Sequence, residues 1–481
     1  MKIKSTLTVL LAALLSMLNT SCDDYLDVDP KGLTVLETIQ DYDLLLNGTW
    51  RSMFYTTDTD ILELTSDNHT STELDLRPID DPLNDAAKAY KFDSDIFLSH
   101  DENVRLWDAA YGNIYTYNTV INNVGSSKIV SGYSEEDKES IIAEARVGRA
   151  FEYWLLVNTF GKQYNEATTS TDLGVPLILE DNVSGSVPAR STVKEIYDFI
   201  ISENLEALPN LPNRPKNYTR EYTGSAYAYL ARYYLFMSNF EKAFEFADKA
   251  IDVKGEISDF TTVPVTTSDY FALEDHHFSD QYTFMSSQGT PNWFYRYGIL
   301  SEEMTNLLSS SDTRFSLLYS DCAWQYDDQT GWNYNCGLPP TRIGATLGSV
   351  TITPTVPEMY LTRAECNARL SSGTIGEVIN DLNSVRENRI YDYTPLSVAD
   401  FTSKAEALAF VLDERRRETL YMGTRFFDLR RLNLEPEFAK TIVHELDGTT
   451  YTLAPNSDNW AFPIPASTLN FNPHLEQNPR E

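Results

Sequence analysis

Trp324, Tyr326, Trp332 and Tyr334 crowd one loop of this chain, and no other group of side chains so clearly invites a ligand. Flat rings with a polar edge suit pyranose faces and extended peptides. Asp67, Asn68, Arg77 and Asn333 supply carboxylate, amide and guanidinium groups of the kind that fix ring hydroxyls beside such rings. The bland expectation is that the aromatics pack against one another inside their own lobe, and at least half of them should. One or two of the tryptophans are then left to touch ligand. Cys322 and Cys336 flank the loop. In an exported chain they either pair, which contributes about 3 kcal/mol for a loop of that size, or stand as free buried thiols.

Other chemistries find little support. With 71 acidic residues, close carboxylate pairs are inevitable, and glycoside hydrolysis needs a set separation that a sequence does not display. His444-Glu445 has no second histidine at metalloprotease spacing, and neither GxSxG nor a phosphate-cradling glycine loop occurs. His276-His277 is an isolated pair that reads as surface. The expectation is a binding protein and not an enzyme, with no cofactor required. Calcium is the one metal the oxygen-rich stretches Asp327-Asp328-Gln329-Thr330-Gly331 and Asp80-Asp81 could hold, although neither matches an EF-hand loop. No CxxC or Cys/His grouping has zinc spacing. A formal net charge of -33 repels phosphate backbones and excludes general nucleic-acid binding. Neutral ligands and cations remain, with a local arginine pocket still able to hold an anion.

The elements that must position these groups are mostly helices. Apolar residues recur at helical spacing over Thr34 to Arg51 and over Val104 to Val124. Between them Tyr55 to Asp101 is polar, acidic and too long for a plain connection, the kind of loop that is functional or partly disordered. Glu135 to Phe160 reads as a helix capped by Ser134 and stopped by Gly161, with an Arg149–Glu152 pair available on one face. Ser191 is the expected cap of a helix from Val193 to Leu208. Thr223 to Ile251 interleaves alanines with aromatics around a Ser238-Asn239 turn, the pattern of a tetratricopeptide-like helix pair, and Pro357 to Arg389 repeats it. About 130 residues separate the two pairs, so no continuous array is visible. Cys366 falls in the second pair and reads as core. The stretch from about 256 to 355, rich in Gly, Pro, Ser, Thr and aromatics, reads as an irregular lobe inserted into the helical scaffold, and function usually resides in such loops. Ser403 to Leu432 is helical again. Asp447-Gly448 between two β-forming runs predicts a hairpin.

The N-terminus carries an address. Lys2 and Lys4 precede an apolar run from Leu7 to Leu18, about 12 residues against the ~20 a spanning helix needs. Cys22 follows small and polar residues and is the expected lipid-attachment site after removal of residues 1–21, with ordinary signal cleavage as the alternative. Acylation would anchor the mature chain by its N-terminus, and Asp23, Asp24, Asp27 and Asp29 follow at once.

Several separated blocks share a resemblance. SCDDYLDVDP, AEARVGRAFEYWLLVNTFG, PEMYLTRAECNARL with INDLNSVRENR, ERRRETLYMGTRFFDLRRL and FPIPASTLNFNPHLEQNP occur in that order. Together they resemble the SusD/RagB family of Bacteroidetes outer-membrane lipoproteins along the whole chain. The departures are Gly148, where a large apolar residue is usual, Met422, where an acid is common, and Phe427. The resemblance implies one mainly α-helical domain over 22–481. Its scaffold of tetratricopeptide-like pairs would span about 33–253 and 356–432, with the ligand-binding lobe at about 256–355. It also implies a glycan ligand (a peptide in some members) captured at the cell exterior and delivered to a TonB-dependent, SusC-like barrel in the outer membrane. The acids behind Cys22 then resemble a surface-export signal, and the arginines of Glu414 to Arg431 take a structural role. A glycan-degrading enzyme or an adhesin is the competing class.

Overall fold

The computed structural model describes residues 36–47, 61–71, 85–99, 104–182, 185–217, 219–262, 299–320, 322–327, 331–336, 342–343, 352–420 and 422–481, with the backbone alone over 316–343. The apolar leader, Cys22, Arg77, Asp80-Asp81, residues 328–330 and His276-His277 lie outside the described residues.

Three helices make the first half of the scaffold: α3 (Arg105–Asn123), α4 (Glu135–Phe160) and α5 (Val193–Ala207), preceded by the short α1 (Ile39–Leu45) and α2 (Asp85–Tyr90). The α4 helix starts where expected, because Ser134 and Asp137 form a reciprocal capping box. From Ala143 to Phe160 nearly every residue of α4 is buried, so it forms the centre on which α3 and α5 pack. Gly148 departs from the family pattern for a steric reason: a Cβ there would lie 2.5 Å from Cζ of Tyr117 on α3. The tyrosine ring fills the space that a side chain at 148 would need. The cap of α5 is Thr192 with Glu195, one residue later than expected, since Thr192 satisfies both arms of the box. Arg149 does not pair with Glu152 on its own helix. Its guanidinium crosses to Glu203 of α5 at 2.5 Å, and Glu152 accepts from Asn113 of α3 at 3.0 Å. A buried charge is served better by a partner on the opposite helix, which closes the interface as well.

The helix pair α6 (Thr223–Phe236) and α7 (Phe240–Val253) turns at Ser238, which adopts φ 57°. The second pair is α10 (Val356–Arg369) and α11 (Ile375–Arg386). Although distant in sequence, the two pairs are neighbours in space. Ala228 and Ala231 of α6, Ala247 and Ala250 of α7, and Val356 and Met359 of α10 form one buried cluster. The small residues let the backbones approach, and Arg363 of α10 closes the contact on Asp248 at 2.6 Å. A helical array therefore does run through, with the lobe leaving after α7 and returning at α10. Cys366 is fully buried in it, and burial pushes its thiol well above the usual range.

The lobe contains two short helices, α8 (Glu302–Leu307) and α9 (Thr313–Leu318), and a small antiparallel sheet. The sheet's order is β1 (His69–Thr70), β4 (Ile299–Leu300), β8 (Arg342–Ile343), β5 (Tyr319–Ser320). β1 comes from the segment expected to be a polar loop. That segment in fact buries Leu62, Leu64, Tyr90 and Phe97, so within its described residues it is structure and not linker.

The helical stretch ending at Leu432 is two helices, α12 (Lys404–Glu418) and α13 (Thr424–Leu432). Gly423 breaks it at φ 70°, a conformation that costs glycine little and other residues more. β9 (Ile442–Leu446) and β10 (Thr449–Leu453) form the expected hairpin, with Asp447 and Gly448 both at positive φ as a tight turn requires. His444 of β9 is buried, with Nδ1 2.7 Å from Tyr90 O and Nε2 2.9 Å from Ser66 O, and it stacks on Tyr90 and Phe92. It is a structural clamp for the hairpin. β2 (Leu173–Pro176) and β3 (Arg190–Thr192) pair beside α5. A short α14 (Ala466–Phe471) precedes the C-terminus. Among the described residues no helix is long and apolar enough to cross a membrane.

Candidate ligand face and the ion network beneath it

The aromatic loop is a β-hairpin, an element that a reading of it as irregular chain missed. β6 (Cys322–Asp327) pairs with β7 (Gly331–Cys336) so that Trp324 faces Tyr334 and Tyr326 faces Trp332. Cys322 faces Cys336 at the open end. Successive strand residues alternate between faces, so these six positions belong to one face of the ribbon. The signal for this was in the sequence: alternation of aromatics with polar residues on both sides of a Gln-Thr-Gly turn. The strand β5 ends at Ser320, directly before the hairpin, which thus hangs from one edge of the four-stranded sheet.

Asp67 and Asn68 sit at the opposite edge, just before β1. Three strand spacings of about 4.8 Å put β1 roughly 14 Å from β5. The sheet therefore joins the two groups of candidates, which attach at its opposite edges. Both residues are buried and already engaged. Arg425 forms a two-pronged pair with Asp67 at 2.7 and 2.8 Å, and Lys440 adds a bond at 2.8 Å. Arg416 donates to Asn68 Oδ1 at 2.7 Å. Burial alone would raise the Asp67 carboxyl, but Arg425, Arg416 and Lys440 overwhelm it and hold the group far below the ordinary carboxylate range. Asp67 and Asn68 are thus part of the lobe's attachment to α12 and α13.

That attachment belongs to a larger network. Arg232 of α6 pairs with Glu358 of α10 at 2.5 Å, Glu358 with Arg415 of α12 at 2.9 Å, and Arg415 with Asp428 of α13 at 2.9 Å. Asp428 continues to Arg431, which reaches back to Glu365 of α10, each at 2.7 Å. A second group surrounds Arg314 of the lobe, which meets Asp312, Glu414 and Glu418 at 2.7 to 2.9 Å. Glu414 also takes Arg386 and Arg417, and Glu418 takes Arg389. Burial opposes ionisation of Glu414, yet the three arginines hold its carboxyl down to about 2. Charges stay buried here because each has oppositely charged, hydrogen-bonded neighbours. The arginines of the signature are engaged within the fold, the structural role that the family resemblance implied.

Arg77, the acidic stretch Asp80-Asp81 and most of the Asp327–Gly331 turn fall outside the described residues. Among the described residues no cluster of His, Cys, Asp or Glu is grouped to hold a metal. Three of the seven tryptophans, Trp107, Trp154 and Trp460, are buried in the scaffold. A concavity of about 860 Å³ opens on the scaffold between α3, residues 176–182 and 185–188, and α14. No residue expected from sequence to bind ligand lies in it.

Comparison with known proteins bears on both halves of the chain. Residues 24–235 match a family model described as "Starch-binding associating with outer membrane", and residues 356–480 match one described as "SusD family". A SusD-like protein P38 of Formosa agariphila is 23% identical over 98% of each chain. A SusD superfamily structure from Bacteroides thetaiotaomicron superposes with a TM-score of 0.70 at 21% identity, covering 92% of this chain and all of that one. A structure titled "Laminarin binding SusD-like protein" gives a TM-score of 0.61 at 18% identity, covering 92% of this chain and 99% of that one. At such identities the structural likeness speaks for the fold.

Proposed function

We propose, since the chain belongs to the SusD/RagB family, that it is a surface-exposed glycan-binding lipoprotein. It captures oligo- or polysaccharide and delivers it to a TonB-dependent, SusC-like transporter. Cys22 is its lipid attachment, and the protein acts by binding and not by catalysis. The single observation that carries the reading is the register of β6 and β7, which gathers Trp324, Tyr326, Trp332 and Tyr334 on one face of one ribbon. Rings spaced along a ribbon suit successive pyranose faces of a chain. The pairing of Cys322 with Cys336 supports it too. Directly opposed antiparallel residues stand about 4.5–5.5 Å apart at Cα, inside the range a disulfide spans, and a bond there would brace the hairpin's open end.

Covering one indole with a sugar ring contributes roughly 1.5–3 kcal/mol, so Trp324→Ala or Trp332→Ala should weaken glycan binding by about 10- to 100-fold. Titration calorimetry with a panel of polysaccharides and peptides checks this. Unchanged glycan affinity in both folded variants sinks the hairpin as the platform, and binding confined to peptides turns the assignment to a peptide-capturing member. Release of reducing ends on incubation with polysaccharide would argue for an enzyme. Co-purification of a large barrel from detergent-solubilised membranes tests the transporter.

A further inference from the structure

The groove between α3, residues 176–182 and 185–188, and α14 has no part in the ion network and lies on the scaffold, not the lobe. Its volume of about 860 Å³ falls within the ~300–1,000 Å³ of small-ligand clefts. Trp107 and Tyr111 of α3, Leu177 and Leu179, and Phe471 at the end of α14 are among the residues that line it. Phe471 is 87% exposed, Tyr115 on the same groove 44% and Leu179 40%, so a cluster of large apolar side chains faces water in one place. Scattered exposed apolar residues need no explanation, but a patch around a concavity marks a binding surface.

The wall is held in advance of any ligand. Tyr111 Oη donates to Pro176 O at 2.8 Å, and Tyr153 Oη donates to Ile178 O at 2.8 Å. Asn118 Nδ2 donates to Ile178 O and Glu180 O, both at 3.0 Å, and Asn122 Nδ2 to Leu179 O at 3.1 Å. An extended surface segment clamped at four carbonyls does not have to be ordered on binding, and that saving favours affinity.

These clamps also narrow the occupant. An extended peptide added as a strand needs free backbone acceptors along an edge, and here the carbonyls of Pro176, Ile178, Leu179 and Glu180 already accept from side chains of the scaffold. The charged residues lining the groove are Asp108 and Glu180, with no base among the lining residues, which disfavours anions. Flat rings remain, together with the carboxylate of Asp108, the amides of Asn182 and Asn472 and the hydroxyl of Ser467. We infer that the groove is a second saccharide site, separate from the hairpin, that takes a neutral oligosaccharide. The inference rests on the glycan-binding reading and adds a location and a charge preference to it.

The test is calorimetry on the full mature protein with a panel of neutral hexasaccharides, comparing wild type, Phe471→Ala with Tyr115→Ala, and Trp324→Ala with Trp332→Ala. Phe471 and Tyr115 are exposed, so an unchanged thermal midpoint is expected and confirms that the groove variant folds. The expected result is two binding events in the wild type. The groove pair of substitutions weakens one of them at least 10-fold and leaves the other, and the hairpin pair does the reverse. A wild type that binds one equivalent, lost only in the hairpin variant, overturns the groove site and leaves the glycan reading standing. A wild type that binds none of the panel overturns both.

Discussion

The seam between α10, α12 and α13 and the hairpin β6–β7 are opposite solutions to placing side chains. In the seam, Glu358, Arg415, Asp428, Arg431 and Glu365 are all buried, and each meets an oppositely charged neighbour within 3 Å. In the hairpin, aromatic residues occupy one face of a two-stranded ribbon joined to the rest through the edge of a small sheet. A buried ion network is costly to desolvate and unforgiving of a missing partner, so it tolerates little change. A ribbon on an edge carries few such obligations. The two matched family blocks cover 24–235 and 356–480, and the interval between them holds α7 as well as the lobe. The charged seam lies inside the second of these matched blocks.

Removing a charge from the seam should separate the two regions most sharply. Arg415→Ala strands both Glu358 and Asp428 and should cost about 3–5 kcal/mol in urea unfolding, with a cost under 1 kcal/mol contradicting the network's role. Glu414→Gln should cost about 3 kcal/mol near neutral pH, from a folded-state value of about 2 against an ordinary 4.5. The sign follows from that depression. The stabilisation is present above about pH 4.5 and is lost as pH falls toward 2. The wild type and the variant should therefore converge in acid, and a gap that persists at pH 2 would assign the effect to shape and not charge. Gly148→Ala pushes a methyl into the ring of Tyr117 and should cost about 1–3 kcal/mol, the range for overpacking. Smallest of all, Trp324→Ala and Trp332→Ala should leave stability within about 0.5 kcal/mol, as for substitutions outside the core. A larger loss would mean that these rings pack the lobe.

Legibility in the sequence follows the same line. The helices α3 and α4, both helix pairs and the Asp447-Gly448 hairpin were readable because capping, periodicity and turn chemistry act within a few residues. The partner of Arg149 was not, because Glu203 and Glu152 are equivalent acids until α5 is packed on α4. Asp67 and Asn68 looked like free polar groups in an acidic loop. Only the fold shows that Arg416 and Arg425, some 350 residues on, claim them. The groove was invisible for the same reason, since Tyr111, Leu179 and Phe471 come from three distant segments. The hairpin, by contrast, had a local signal in its alternating aromatics.

The direct packing of α7 on α10 has one more consequence. The lobe leaves and re-enters the scaffold at points already fastened to each other: Tyr360 of α10 donates to Gly255 O, and Arg232 of α6 donates to Ile352 O. A loop whose ends are held together by its surroundings adds little closure entropy as it lengthens, about 0.6 kcal/mol per doubling. The scaffold can thus act as a fixed socket for inserts of different length, provided that each insert keeps a cation in the place of Arg314 to meet Glu414 and Glu418 of α12.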